Sequence, residues 1–235
     1  MPSSHTYTIV VPEKDEDHRI LDQLVSETQT RFQGRVTLSI VDDGSRNPYP
    51  GAVHRHESSL GYGRALKSGI SLATSEWVVT MDGDGQHRLR DVERLIEFTQ
   101  DFPSVDMVVG DRRIRDRGVR YFGRKALNWA ASLFAWRYIP DLNSGLRIIR
   151  RRVAQGYLPI LCDGFSFTTS ITTAMLADGY KVDWLPIQVN PRPFGKSHVR
   201  LLRDGLVTLR YIVWIGLALR TRRIRRVWRS LYGRP

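Results

Sequence analysis

The chain is expected to fold as an α/β domain with a mainly parallel central sheet covered by helices on both faces. Three observations lead there. Short β-branched runs alternate with segments of helical periodicity, the pattern that builds parallel strands joined by crossover helices. Three of those strand candidates end in acidic or small polar residues: Pro12 to Glu16, Asp42-Asp43, and Asp82 with Asp84. The 235 residues, 41% hydrophobic and 26% charged, suffice for one such domain with a full core.

Taken in order, Tyr7 to Val11 is a β-branched run closed by Pro12, which predicts a first strand stopped at the proline. Asp15, Glu16 and Asp17 then precede a helix with Ile20, Leu21, Leu24 and Val25 on one face. Acids there suit the positive end of the helix dipole. Val36 to Val41 reads as the second strand, Arg46 to Pro50 as loop, and Ala52 to His56 as a short third strand. A helix follows from Leu60 to about Ala73. The apolar run Trp77 to Met81 reads as a buried parallel strand. A helix from Leu89 to Phe102 and a strand from Asp106 to Gly110 complete the first half.

The second half begins with a charged loop, Asp111 to Arg117. An amphipathic helix is expected from Gly118 to Arg137, with Arg124 early and Leu127, Trp129, Leu133, Phe134 and Trp136 along it. Asp141 to Arg147 is a polar lead-in to a strand at Ile148 and Ile149. Gly164 to Ser170 leads a helix to about Ala177, Lys181 to Ile187 forms a further strand, and Arg192 to His198 is a basic loop. No internal repeat is visible.

Lysine and arginine number 36 against 24 acids, a net charge of +12. Such a field draws nucleic acid, anionic lipid or phosphorylated substrates and says nothing about fold. The single cysteine, Cys162, excludes an intrachain disulfide and suits a reducing compartment. The N-terminus lacks a basic region followed by an apolar one, so no signal peptide is expected. No uninterrupted stretch reaches the roughly 18 to 20 apolar residues of a spanning helix. Leu206 to Leu219 is apolar but carries Arg210, Tyr211 and Trp214, and an arginine-rich run, Arg220 to Arg229, follows. Arginines beside interfacial aromatics suit a helix in the headgroup layer of an anionic membrane. A solvated basic helix and a nucleic-acid-binding tail are the alternatives. The expected location is cytoplasmic, peripheral at the inner membrane face.

Asp82, Asp84 and Gln86 alternate along the chain and all offer oxygen, the ligand type Mg²⁺ and Mn²⁺ prefer. Carboxylates so close repel unless a cation or a hydrogen-bond network offsets them. A solvated Asp-Gly turn is the bland alternative. Three acidic strand ends converging on one sheet edge, where open α/β sheets bind ligands, favour a metal site.

Several landmarks occur in a set order. They are Val10-Val11-Pro12 with Glu16, Val41 to Ser45, Gly61 to Leu66, Met81 to His87, Asn143 to Arg147, Gly164 to Thr169, and Arg192 to Ser197. Together they resemble family 2 inverting glycosyltransferases, in the polyprenyl-phosphate (dolichyl-phosphate mannose synthase-like) branch, over about residues 7 to 200. The resemblance implies a GT-A fold, expected in residues 1–199; the amphipathic, arginine-rich composition of 200–235 marks that part as the membrane-associating segment. It implies a nucleotide-sugar donor (GDP-mannose first, UDP-glucose next), with Mg²⁺ or Mn²⁺ bridging its diphosphate. By position, Pro12, Glu16, Val41, Asp42 and Asp43 would contact the nucleotide sugar, together with Asp82 and Arg192. Asp82, Asp84 and Gln86 would hold the metal. Arg112 and Arg124 would face an acceptor phosphate, and Arg192 and Lys196 would close over the donor diphosphate. Asp84, Arg112, Arg124, Asp141 and Lys196 make up the implied catalytic set. Gly195 lets the loop beside Lys196 come close to a ligand.

Two departures bear on mechanism. Lys14-Asp15 stands where relatives commonly have Tyr-Asn. Around Ser170 the chain has Thr168, Thr169, Thr172 and Thr173, where many relatives place a carboxylate base. A phosphomonoester has a second pKa of about 6 and is already an anion near neutrality. It needs no base, so the missing carboxylate suits a polyprenyl phosphate acceptor and is awkward for a hydroxyl one. Asp141 remains as a base or orienting group. The expected function is hexose transfer, mannose foremost, from a nucleotide sugar to a polyprenyl monophosphate. Transfer to a lipid or glycan hydroxyl is the alternative. A basic nucleic-acid-binding protein is the reading from another class, and it leaves Asp42, Asp43, Asp82 and Asp84 without a purpose.

Overall fold

The computed structural model describes residues 6–113, 127–129, 131–132, 138–191, 206–215 and 217. The strands are β1 (Tyr7–Glu13), β2 (Val36–Asp42), β3 (His54–Arg55), β4 (Trp77–Thr80), β5 (Met107–Asp111), β6 (Arg147–Arg150) and β7 (Val182–Pro186). They form one sheet in the order β3-β2-β1-β4-β6-β5-β7. β6 runs antiparallel to both of its neighbours, and every other pairing is parallel. The helices are α1 (His18–Phe32), α2 (Tyr62–Leu72), α3 (Leu89–Asp101), α4 (Arg151–Tyr157) and α5 (Phe167–Asp178). Residues 206–215 form a further helix, α6.

Alternation along β1 shows how the sheet is covered. Ile9 and Val11 join a core with Leu21 and Phe32 of α1 and Val92 and Leu95 of α3. Val10, pointing the other way, joins Leu66 and Ile70 of α2 and Ile171 and Met175 of α5. Successive side chains of a strand leave opposite faces, so a strand apolar at both parities needs a helical layer on each side. A third, smaller cluster of Ala131, Ile139, Leu142 and Ile212 ties α6 to the 127–142 region.

β1 does not stop at Pro12. It continues to Glu13, with Pro12 opposite Val41 and Glu13 opposite Asp42. Val10 turns its carbonyl toward β4, accepting from the Met81 N–H, and Pro12 faces the same side two residues later. β4 pairs with β1 only as far as Val10, so the N–H that proline lacks has no ladder to join. Beyond it, Asp17 caps α1 by accepting from the Arg19 N–H at 3.0 Å. The third strand is the two residues His54–Arg55, within the expected Ala52 to His56. Helix α4 follows β6 directly and is not among the elements expected above. Of the expected helix at 118–137, residues 127–129 and 131–132 are described, and they are helical.

Candidate active site

The parallel strands β2, β1 and β4 end on one edge of the sheet, and the acids there divide into two groups. Asp43, just past β2, is almost fully buried. One of its oxygens accepts from His56 Nδ1 at 2.8 Å and the Leu60 N–H at 2.9 Å. The other accepts from Ser59 Oγ at 2.8 Å and the Gly61 N–H at 2.9 Å. Burial pushes this carboxyl up, but those hydrogen bonds outweigh it and hold it below the usual carboxylate value. With four donors satisfied inside the protein, Asp43 fastens the 56–61 turn to the sheet.

Glu13 and Asp42 are register partners at the ends of β1 and β2, and both are buried. Ser45 serves both: its N–H donates to Asp42 Oδ1 at 2.7 Å and its hydroxyl to Glu13 Oε1 at 3.1 Å. Among the described residues the second oxygen of each has no hydrogen-bond partner, although the Arg55 guanidinium lies 3.2 Å from Asp42 Oδ2. Burial, and then the charge of Asp42, raise the Glu13 carboxyl above its ordinary value. Asp15, in a left-handed conformation at φ 54°, stitches this corner shut. Its N–H donates to Ser45 Oγ and its carboxylate accepts from the Arg46 N–H.

The β4 end is more open. The Asp82 side chain is 31% exposed and accepts from the Tyr62 hydroxyl at 2.7 Å, with His87 Nε2 3.3 Å away. Burial pushes this carboxyl up, but His87, Tyr62 and Arg112 overcome it and hold it down to about 2. Asp82 is therefore an anion throughout the physiological range. A methyl group at position 145 would collide with both of its carboxylate oxygens, so Gly145 is what lets the carboxylate lie there. Asp84 is buried and accepts from the Gln86 N–H at 3.1 Å. The Gln86 carboxamide donates to the Asn190 carbonyl at 3.3 Å, and the Asn190 N–H donates back to the Gln86 carbonyl at 2.9 Å. The acidic loop is thus tied to the chain at Asn190, one residue before Pro191.

Cations stand behind these acids. Arg112 grips Asp141 with two parallel bonds, Nε to Oδ2 at 2.7 Å and Nη2 to Oδ1 at 3.0 Å. The Asn143 N–H adds a bond to Oδ1 at 3.0 Å. Burial opposes the charged form of each, but the pairing prevails: the Arg112 pKa is raised and the Asp141 carboxyl is held below its usual value. Arg147 is wholly buried at the start of β6. It donates to the Thr168 carbonyl at 2.7 Å, to Thr172 Oγ1 at 2.9 Å and, through Nε and Nη2, to the Ser144 carbonyl. Burial brings its pKa down to about 10, so it keeps its charge at neutral pH. The site is therefore built around two guanidinium groups, on Arg112 and Arg147, and the carboxylates of Asp82 and Asp141.

Each residue expected from sequence has a definite place or lies outside the description. Asp82, Asp84, Arg112 and Asp141 come together. Pro12 lies in the ladder, with its carbonyl close to Gly83. Val41 is fully buried, its side chain against α2 at Gly69. Glu16 is half-buried just ahead of the Asp17 cap. Arg124, Arg192, Lys196 and the 220–229 run lie outside the described residues. Sequence reasoning missed Glu13, Tyr62, His56 and Arg147 as members of this edge. Tyr62 and Arg147 fall inside landmarks quoted above, so a signal existed for them. Glu13 sits between a proline and a lysine and looks like loop.

Among the described residues no three His, Cys, Asp or Glu side chains converge as a complete metal shell. Two carboxylates at one strand end, one of them anionic down to about pH 2, nonetheless fit a divalent cation whose remaining ligands come from a diphosphate.

The family model described as "Glycosyl transferase family 2" matches residues 8–168. An uncharacterized protein of Methanocaldococcus jannaschii is 27% identical over 197 residues, 77% of this chain and 79% of that one. The polyprenol monophosphomannose synthase of Mycolicibacterium smegmatis is 26% identical over 188 residues, 69% of this chain and 70% of that one. Among solved structures, glucosyl-3-phosphoglycerate synthase from Mycobacterium tuberculosis, with Mn²⁺, UDP-glucose and phosphoglyceric acid, superposes with a TM-score of 0.68. That likeness covers 92% of this chain and 80% of that one at 17% identity. The seven-stranded sheet with helices on both faces is of the GT-A type.

Proposed function

The chain belongs to glycosyl transferase family 2, and from that premise we propose that it moves a hexose from a nucleotide sugar to a polyprenyl monophosphate, with inversion. The observation that carries the acceptor is the state of Asp141. Both of its oxygens are committed to Arg112, and the pairing depresses its basicity. A hydroxyl acceptor needs a base, and this carboxylate is a poor one. A phosphate oxygen is already charged near neutral pH and needs only to be positioned and screened. Arg112 is suited to that task, since its Nη1 takes no part in the Asp141 pair. The mycobacterial relative named a polyprenol monophosphomannose synthase supports the same acceptor, and mannose as the sugar. GDP-mannose is the leading donor in this reading, ahead of UDP-glucose.

In this reading Asp82, Asp84 and Gln86 hold Mg²⁺ or Mn²⁺ together with the donor diphosphate. The solved neighbour that carries Mn²⁺ and UDP-glucose supports this, and when bound the cation offsets charge on the departing diphosphate. Tyr62 and His87 keep the Asp82 carboxylate ionised and aimed. Arg147 supplies a fixed positive charge beneath it. Arg192 and Lys196, which follow Asn190 in the sequence, are the residues that would close over the diphosphate. Glu13, Asp42 and the turn that Asp43 holds form the wall for the nucleoside. The acceptor oxygen forms the new bond to the anomeric carbon as the bond to the diphosphate breaks on the opposite face.

No helix among the described residues is long and apolar enough to cross a membrane. Docking at the cytoplasmic membrane face is assigned to the exposed Trp129, Tyr138 and Trp214, with the arginine-rich sequence from 220 adding positive charge. The test is a transfer assay with Mn²⁺ or Mg²⁺, offering GDP-mannose and UDP-glucose in turn with undecaprenyl phosphate. The expected result is a metal-dependent glycolipid from one donor. Metal-dependent transfer to a hydroxyl acceptor, with none to the lipid phosphate, would overturn the reading.

A further inference from the structure

The polar site opens on one side onto an apolar surface that the hydrophilic part of the reaction does not use. The Tyr62 hydroxyl touches Asp82, while its ring stacks on Phe165 with centroids 5.5 Å apart and an interplanar angle of 21°. Phe165 is 44% exposed despite that stack, and Leu60, on the neighbouring turn, is 50% exposed. The two turns are in direct contact. Gly61 holds φ at 110°, and a Cβ there would stand 2.6 Å from the Asp163 carbonyl oxygen, so only glycine lets the turns press together.

Ser166, the residue after Phe165, meets α6. The Ser166 and Thr208 hydroxyls are hydrogen-bonded at 2.7 Å, and Tyr211 lies against Cys162. Those contacts fix α6 beside the 162–166 turn, with Thr208, Ile212 and Ile215 inward. Leu206, Val207 and Leu209, within two residues of Thr208, are left in solvent at 69%, 37% and 40% exposure. A helix that buries one apolar stripe and leaves leucines outside it presents a surface meant to be covered.

We propose that Leu60, Tyr62, Phe165, Leu206, Val207 and Leu209 form the seat for the first isoprene units of the acceptor's hydrocarbon chain. The inference rests on the lipid-phosphate reading above and assigns the part of the acceptor that reading leaves unplaced. The occupant follows from continuity. One end of the track is a tyrosine whose hydroxyl is bonded to Asp82, beside Arg112, and the other is the exposed side of a helix. A ligand lying along it therefore has an anionic head at the polar end and an apolar tail. The seat also explains why Phe165, rather than a polar residue, is exposed at the rim of a charged site.

The test compares farnesyl phosphate, with three isoprene units, and methyl phosphate, with none, as acceptors for the wild-type chain and for Phe165→Ser and Leu209→Ser. With farnesyl phosphate each variant is expected to raise the acceptor KM roughly tenfold, the loss of one well-buried apolar contact. The donor KM and the melting temperature stay near wild type, and wild type prefers farnesyl over methyl phosphate more strongly than either variant does. Equal losses with both acceptors, or an unchanged KM for farnesyl phosphate in both variants, would overturn the seat. If wild type used methyl phosphate as well as farnesyl phosphate, the seat would fail while the phosphate acceptor stood. If neither phosphate were glycosylated although a hydroxyl acceptor was, the lipid-phosphate reading itself would fall and take the seat with it.

Discussion

Asp43 and Asp82 flank β1 on either side of the same sheet edge, and in sequence they look alike: each follows an apolar strand and is followed within two residues by glycine. Their surroundings differ. Asp43 accepts from four donors of the protein, two of them backbone N–H groups, and is almost fully buried. Asp82 has the Tyr62 hydroxyl and a longer contact from His87, and a third of its side chain is open. A carboxylate whose acceptor sites are filled by its own chain holds a fold together. One that is ionised, partly exposed and flanked by cations is ready for a ligand. Motif resemblance assigned both to the donor site, and hydrogen-bond saturation separates them.

The largest effect that probes this contrast is on stability. Asp43→Asn places an amide NH₂ against donors from residues 56–61 and is expected to cost about 3 kcal/mol in chemical denaturation, the scale of breaking a buried charged network. Donor affinity of the protein that remains folded should stay within about threefold of wild type. A stable variant with lost donor affinity would make Asp43 a nucleoside contact and erase the contrast. Next in size is Arg112→Lys, which removes a forked guanidinium that pairs with Asp141 and that the proposed function turns toward the acceptor. A fall of about thirtyfold in kcat/KM for the acceptor is expected, roughly 2 kcal/mol, with donor binding little changed. Equal losses toward donor and acceptor would place Arg112 on the diphosphate instead.

The smallest effect concerns Glu13, which sharpens the saturated side. Burial and Asp42 raise its carboxyl above the ordinary 4.5, so the folded state favours the proton more than the unfolded chain does. Ionised Glu13 therefore costs stability above its folded pKa and costs nothing below about 4.5, where both states are protonated. Glu13→Gln should stabilise the fold slightly near pH 8, and the gain should fade as pH falls toward the ordinary carboxylate range. A gain that stayed constant with pH, read from melting curves across that window, would show that ionisation of Glu13 is not the cause.

Much of this edge was legible in the sequence because its signals are local. A β-branched run ending in Asp82 and Asp84 announces a strand and its polar tip within eight residues. The landmark order carried the family, and through it the GT-A fold. What stayed hidden depends on distant partners. Asp43 is filled by His56, Ser59, Leu60 and Gly61, and nothing in Asp42-Asp43-Gly44-Ser45 says that the turn folds back onto it. The stop expected at Pro12 overlooked that a proline costs nothing where the neighbouring strand has already ended, so Glu13 passed for loop. Arg147 read as part of a polar lead-in, because its burial depends on hydroxyl and carbonyl groups of α5, 21 and 25 residues away.

The most direct test of the contrast is calorimetric titration of GDP and UDP, with and without Mn²⁺, into wild type, Asp84→Asn and Asp43→Asn at a temperature where all three are folded. Metal-dependent nucleotide binding lost in Asp84→Asn and kept in Asp43→Asn is the predicted result. The same Mn²⁺ dependence in Asp84→Asn as in wild type would contradict it, and would remove the end of β4 from the donor site.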